Sequence, residues 1–225
     1  MKKPYLFLVL FFLAVSCFCQ EGSTNLVSGV ITINHSLKIN GRNQLKSSYE
    51  RRLPLALSDP NFFSGIVVSR NDFTVGLQRK LSPMYSYAVG GMYRLSQGGN
   101  GQRLFQQISC VQQTLTRVKL AHRLRLDETF SARAPEYRFR YRVGAELPSR
   151  GFKTDPGETY IAFLSEALAK FQGGEFLPEL RVATQFGYLF KNGNKGELLL
   201  DLRMENPGET SETIFLIGVG YYFSK

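Results

Sequence analysis

The sequence predicts an all-β chain: a single up-and-down antiparallel transmembrane β-barrel of about twelve strands, ten at the lower count, with a charged lumen and an apolar outer face. Three observations predict it. Charge recurs at every second position, with Arg123, Arg125 and Asp127 and then Arg138, Arg140, Arg142 and Glu146, while Leu124, Leu126, Tyr137, Phe139, Tyr141, Val143, Ala145 and Leu147 stand between them. Successive side chains of a strand point to opposite faces, so this is strand periodicity. Many alternating segments run ten residues or more, against about five to six for a soluble strand and about nine to eleven for a tilted membrane-spanning one. The charged row could not form a core, but it can line a closed sheet whose outside meets hydrocarbon.

The elements follow in order. Lys2 and Lys3 precede an apolar run over residues 5–15, then come Ser16, Cys17 and Cys19 and a polar segment opening at Gln20. This is the pattern of a secretory signal peptide, residues 1–19, too short and wrongly flanked for an anchoring helix. Lipid attachment at Cys17 is the weaker reading, because Ala14-Val15-Ser16 makes a poor lipobox. Residues 20–225 form the barrel domain, with Cys110 its one cysteine and so no internal disulfide. Strands are expected at 27–38, 43–53, 62–70, 72–81, 84–95, 101–112, 115–130, 136–147, 158–171, 177–190, 196–205 and 213–224. Turn chemistry separates them at Asn40-Gly41, Asn71-Asp72, Ser82-Pro83, Gly98-Gly99, Gly173-Gly174, Asn192-Gly193 and Pro207-Gly208. Short turns between sequential strands give an antiparallel meander.

The expected outward faces are aliphatic and aromatic, as at Phe73, Val75 and Leu77 or Leu198, Leu200 and Leu202. The inward row comprises Arg117, Lys119, Arg123, Arg125, Asp127, Arg138, Arg140, Arg142, Glu146, Glu166, Glu179, Arg181, Glu197, Asp201 and Arg203. In the last strand Leu216, Gly218, Tyr221 and Phe223 resemble the signal that outer-membrane barrels present to their insertion machinery. Leu216 replaces the usual polar residue there, and Ser224-Lys225 follow the terminal aromatic. Twelve strands would place both termini, and the long connections at 54–61 and 148–157, on the periplasmic side of a bacterial outer membrane.

His122-Arg123-Leu124-Arg125-Leu126-Asp127, Tyr137-Arg138-Phe139-Arg140-Tyr141-Arg142, Tyr160-Ile161-Ala162-Phe163 with Glu166, and Leu180-Arg181 ahead of Gly187-Tyr188 resemble an uncharacterised family of Gram-negative, Bacteroidetes-type outer-membrane proteins catalogued as a domain of unknown function. The resemblance implies a fold and a location, and it brings no catalytic residue.

Two roles suit the inward charges. Facing arginines and carboxylates can pair and fill a narrow barrel. Alternatively, the arginine surplus, with Arg123, Arg125, Arg138, Arg140 and Arg142 foremost, can make a narrow, porin-like channel for a small anionic solute. Removing Lys2 and Lys3 from the formal +10 leaves +8, which also suits lipopolysaccharide phosphates and anionic headgroups as partners. Nucleic acid is not indicated, since no base-stacking motif accompanies the charge. The residues favour a non-enzyme. The alternative is a lipid-modifying hydrolase built on a lipid-facing His122 with a neighbouring serine, Ser109 being the nearest; a histidine at headgroup level or paired with a polar neighbour is the plainer account. No HExxH, CxxC, GxSxG or phosphate-loop motif occurs, and no metal or cofactor is assigned.

Overall fold

A computed structural model describes residues 24–57, 69–97, 99–130, 135–207 and 212–224; the expected signal peptide lies outside them. Eleven strands close into a barrel: β1 (Thr24–Lys38), β2 (Asn43–Leu57), β3 (Arg70–Lys80), β4 (Tyr85–Ser96), β5 (Gly101–Gln113), β6 (Lys119–Phe130), β7 (Glu136–Pro148), β8 (Thr159–Gln172), β9 (Glu175–Leu189), β10 (Lys195–Glu205) and β11 (Glu212–Ser224). Sequential neighbours pair antiparallel throughout, and the ring closes where β1 runs parallel to β11, from Thr24 opposite Glu212 to Ser36 opposite Ser224. The strand count falls between the ten and twelve expected, and the eleven stand where the alternation places them.

The exception is the segment expected at 62–70. Residues 62–68 lie outside the described residues, but β2 pairs directly with β3, from Asn43 opposite Arg79 to Arg52 opposite Arg70, so no strand stands between them. Asn71-Asp72, read as a turn, lies inside β3. Its carboxylate faces the lumen, where Arg94 grips both oxygens at 2.8 and 2.7 Å. An aspartate that finds a guanidinium inside the barrel no longer behaves as a turn former.

An odd count changes the topology. The starts of β1 and β11 share one rim, here the first, together with the ends of β2 and β10. Ser224 lies at the second rim, with the β1–β2, β5–β6 and β7–β8 connections. The two described chain ends are therefore at opposite rims, and so are Leu57 at the end of β2 and Pro148 at the end of β7; the even count that would have put them together is corrected.

The faces fall as the alternation requires. Phe139, Leu198 and Ile217 are exposed on the outside, whereas Asp127, Glu166, Arg203 and Leu216 are buried within. Aromatic rings cluster outside near each rim. Phe171 lies 6.5 Å from Phe139 and 5.2 Å from Phe176 near the first rim; Tyr188, Phe190, Tyr221 and Phe223 form a chain of contacts at 4.7 to 5.8 Å near the second.

Glycine sets wall thickness where a ring points inward. A Cβ on Gly90 would fall 2.3 Å from the Val75 carbonyl and 2.5 Å from Phe105 Cζ, and one on Gly187 would fall 2.1 Å from Tyr160 Cζ. No side chain fits at either place, so the rings lie directly on backbone. Tight turns likewise need it: Gly173 and Gly174, with φ of 60° and 88°, make the whole β8–β9 connection.

Candidate functional site in the lumen

The lumen is organised around two carboxylates. Asp127 on β6 is fully buried, with Arg125 Nε at 2.8 Å and Arg140 Nε at 2.9 Å. The first contact is a hydrogen bond; the second is an ion pair without that angle. Glu166 on β8, 3 % exposed, collects three arginines: Arg142 at 2.8 Å, Arg181 at 3.1 Å and Arg123 at 3.7 Å. Register explains the sharing. Arg142, Glu166 and Arg181 stand directly opposite one another across β7, β8 and β9. Arg123 opposes Arg142, and Arg125 opposes Arg140, so two like-charged pairs are held by a carboxylate set beside each.

Pairs two residues apart on one strand complete the wall. Arg138 meets Glu136, Arg181 meets Glu179, and Arg203 meets Asp201 at 2.5, 2.5 and 2.7 Å. Such neighbours share a face by the period of the strand. Lys119 reaches Glu146 at 3.3 Å. Glu197 accepts from the Tyr160 hydroxyl, over whose ring the Lys195 amine sits at 5.0 Å.

Arg117 departs from expectation. It stands in the β5–β6 turn with φ of 66°, and its Nε and Nη2 donate to the Gly151 and Pro148 carbonyls at 2.6 and 3.0 Å. It is a brace on the long β7–β8 connection, not a rung of the ladder.

The structure adds residues that the sequence reading passed over. Glu50, Arg52, Arg70, Asp72 and Arg94 form a second ionic cluster on β2 to β4, with contacts from 2.7 to 3.7 Å. Arg103, 4 % exposed, donates to Thr129 Oγ1 at 2.8 Å and lies 4.0 Å from Glu136. The spacings Glu50-x-Arg52 and Arg70-x-Asp72 were the available signal, the second hidden by the strand break expected at Asn71.

Burial is graded along the axis. The clusters around Asp72, Asp127, Glu136 and Asp201 fill the lumen from its middle toward the first rim. Toward the second rim charge is sparser, Lys46, Lys119, Glu146 and Glu197 standing among Thr32, Asn34, Ser36, Gln78, Gln107 and Ser109, and Lys119 there is 41 % exposed. Phe105 lies on Gly76 and Gly90 beneath the Arg125 guanidinium, 4.1 Å away, and adds an apolar layer.

His122 faces outward, its Nδ1 2.9 Å from the Tyr141 hydroxyl with the rings stacked at 6.2 Å. Ser109 opposes Arg123 and so faces the lumen, where Gln107 donates to it at 3.2 Å; the His122–Ser109 pair is not formed. Among the insertion-signal residues, Gly218 packs under the Val30 carbonyl while Tyr221 and Phe223 join the outer aromatic chain.

The sequence matches the family described as Protein of unknown function (DUF2490) over residues 31–210. The chain belongs to that family. The DUF2490 span takes in every ion pair described above, while β11 with Gly218, Tyr221 and Phe223 lies beyond it. A solved structure, LpxR from Salmonella typhimurium, superimposes with a TM-score of 0.50 at 9 % identity, covering 81 % of this chain and 83 % of that one. At that identity the likeness is one of fold. No curated protein matches the chain.

Proposed function

We propose that this DUF2490 protein is a Gram-negative outer-membrane barrel whose lumen is occluded by its own ion pairs. It is a filled membrane scaffold in place of an open channel for anions. The observation that carries this reading is the sharing of Asp127 and Glu166 among five arginines at the middle of the barrel. Arginines held on shared carboxylates at 2.8 to 3.7 Å offer a passing anion less field and fewer free donors than an unpaired ladder would. The apolar outer face between two aromatic belts supports the membrane setting. An export signal over residues 1–19 and an insertion signal at Gly218, Tyr221 and Phe223 fit the same location.

The test is conductance in planar bilayers. Wild-type protein is expected to give no steady current, and Asp127→Asn with Glu166→Gln to open brief anion-preferring events. Steady anion-selective conductance of the wild type, lost on Arg138→Ala and Arg140→Ala, would establish the channel instead.

A further inference from the structure

The outer wall near the second rim is not smooth. A groove of about 870 Å³ crosses it from the end of β7 to β11, within the range of roughly 300 to 1,000 Å³ typical of small-molecule sites. Its outward-facing walls are Ile161, Phe186, Leu198 and Val219, one residue from each of four consecutive strands in direct register. Gly196 lines the groove on β10. It shares the outward parity of Leu198 and stands opposite Tyr188 and Tyr221. The Phe190 ring lies over it, 3.2 Å from where a Cβ would be, so a side chain there would push that ring aside.

The rim end of the groove is closed by Arg117. Its Nε and Nη2 are fixed on loop carbonyls, which leaves Nη1 as a charged donor with no partner among the described residues. An apolar channel at belt level with a single held guanidinium at its end has the layout of a lipid: a chain along the wall and one phosphate at the interface.

We infer that this groove binds one anionic glycerophospholipid, an acyl chain lying along Ile161, Phe186, Leu198 and Val219 and the phosphodiester at Arg117. The inference rests on the outer-membrane reading above. One cation suits one phosphodiester better than the several phosphates of lipopolysaccharide. A second rim on the periplasmic side, where the C-terminus is expected, would put the groove in the glycerophospholipid leaflet.

The experiment uses full-length mature protein, delipidated, refolded into vesicles of equal phosphatidylglycerol and phosphatidylcholine, and extracted for native mass spectrometry. Heat-modifiable gel mobility first establishes insertion, so failure of the membrane reading shows there and failure of the groove shows only in the lipid count. Wild type is expected to retain phosphatidylglycerol about fivefold over phosphatidylcholine, the effect of about one interfacial cation. Arg117→Gln should bring that ratio near one while a lipid is still held. Gly196→Leu, which adds bulk to the lining and displaces the Phe190 ring, should reduce retention of both lipids, and Val219→Phe narrows the groove from the far side should Gly196→Leu fail to insert. Equal retention by wild type and a groove-filling variant overturns the proposal, as does preferential retention of lipid A when it is supplied alongside.

Discussion

Asp127→Ala removes the one carboxylate that both Arg125 and Arg140 touch, at 2.8 and 2.9 Å. The two guanidiniums stand directly opposite each other on β6 and β7, so without Asp127 two like charges are left facing in a closed lumen. Removing one partner of a buried ion pair costs about 3 to 5 kcal/mol. Arg125 and Arg140 keep 17 % and 12 % exposure, which lets some water reach them and puts the expectation near the lower end, about 3 kcal/mol. The assay is urea unfolding of the refolded barrel in lipid vesicles, followed by tyrosine fluorescence, since the chain has 11 Tyr and no Trp, and by gel mobility. Asp155→Asn, in the exposed β7–β8 connection, is the control and should stay within about 0.5 kcal/mol. Replacing Arg125, Asp127 and Arg140 together by leucine should recover most of the loss, because an apolar cluster of similar volume often matches a buried ionic one. An Asp127→Ala curve that overlays the wild type would refute the view that this carboxylate holds the lumen together.

Three further outcomes are expected. Leu200→Arg places a charge on a half-exposed outer position midway along β10, and should lower insertion into vesicles by about 2 to 4 kcal/mol if hydrocarbon lies there; unchanged insertion would speak against lipid contact. Gly187→Ala forces the Tyr160 ring off the wall, at about 1 to 3 kcal/mol in the urea midpoint, and Tyr160→Ala in the same chain should return part of it; strictly additive losses would count against the contact. His122→Ala removes one exposed hydrogen bond to Tyr141 and should cost no more than about 1 kcal/mol with no change in any phospholipid or lipopolysaccharide deacylation; activity abolished in a folded variant would restore the hydrolase reading.

Much of the barrel was legible because its two faces differ so sharply in chemistry. Alternation located β4 to β11 to within a few residues and put Arg123, Asp127, Arg138, Glu166 and Arg181 on one face, although it passed over Glu136, which is buried on that same face. Pairs such as Arg125 with Asp127 and Arg181 with Glu179 could be read from a spacing of two, since period two puts both on one face. Arg117 was misplaced because apolar and polar residues already alternate before the start of β6, whereas its positive φ belongs to a turn. Asn71-Asp72 misled in the opposite way, because turn-forming residues also serve inside a strand when an arginine awaits them.

Residue order alone determined strand identity, facing and the charged character of the interior, because these follow from a local repeat of two residues. Closure was decided only by the folded chain. Whether β2 pairs with β3 or with an intervening strand, and so whether the first and last strands meet parallel, depends on partners far apart in sequence. The same holds for Glu166 gathering arginines from β6, β7 and β9, and for a groove lined by residues of β8, β9, β10 and β11. Such features need hydrogen-bond register across many strands, and register is a property of the ring, not of any segment within it.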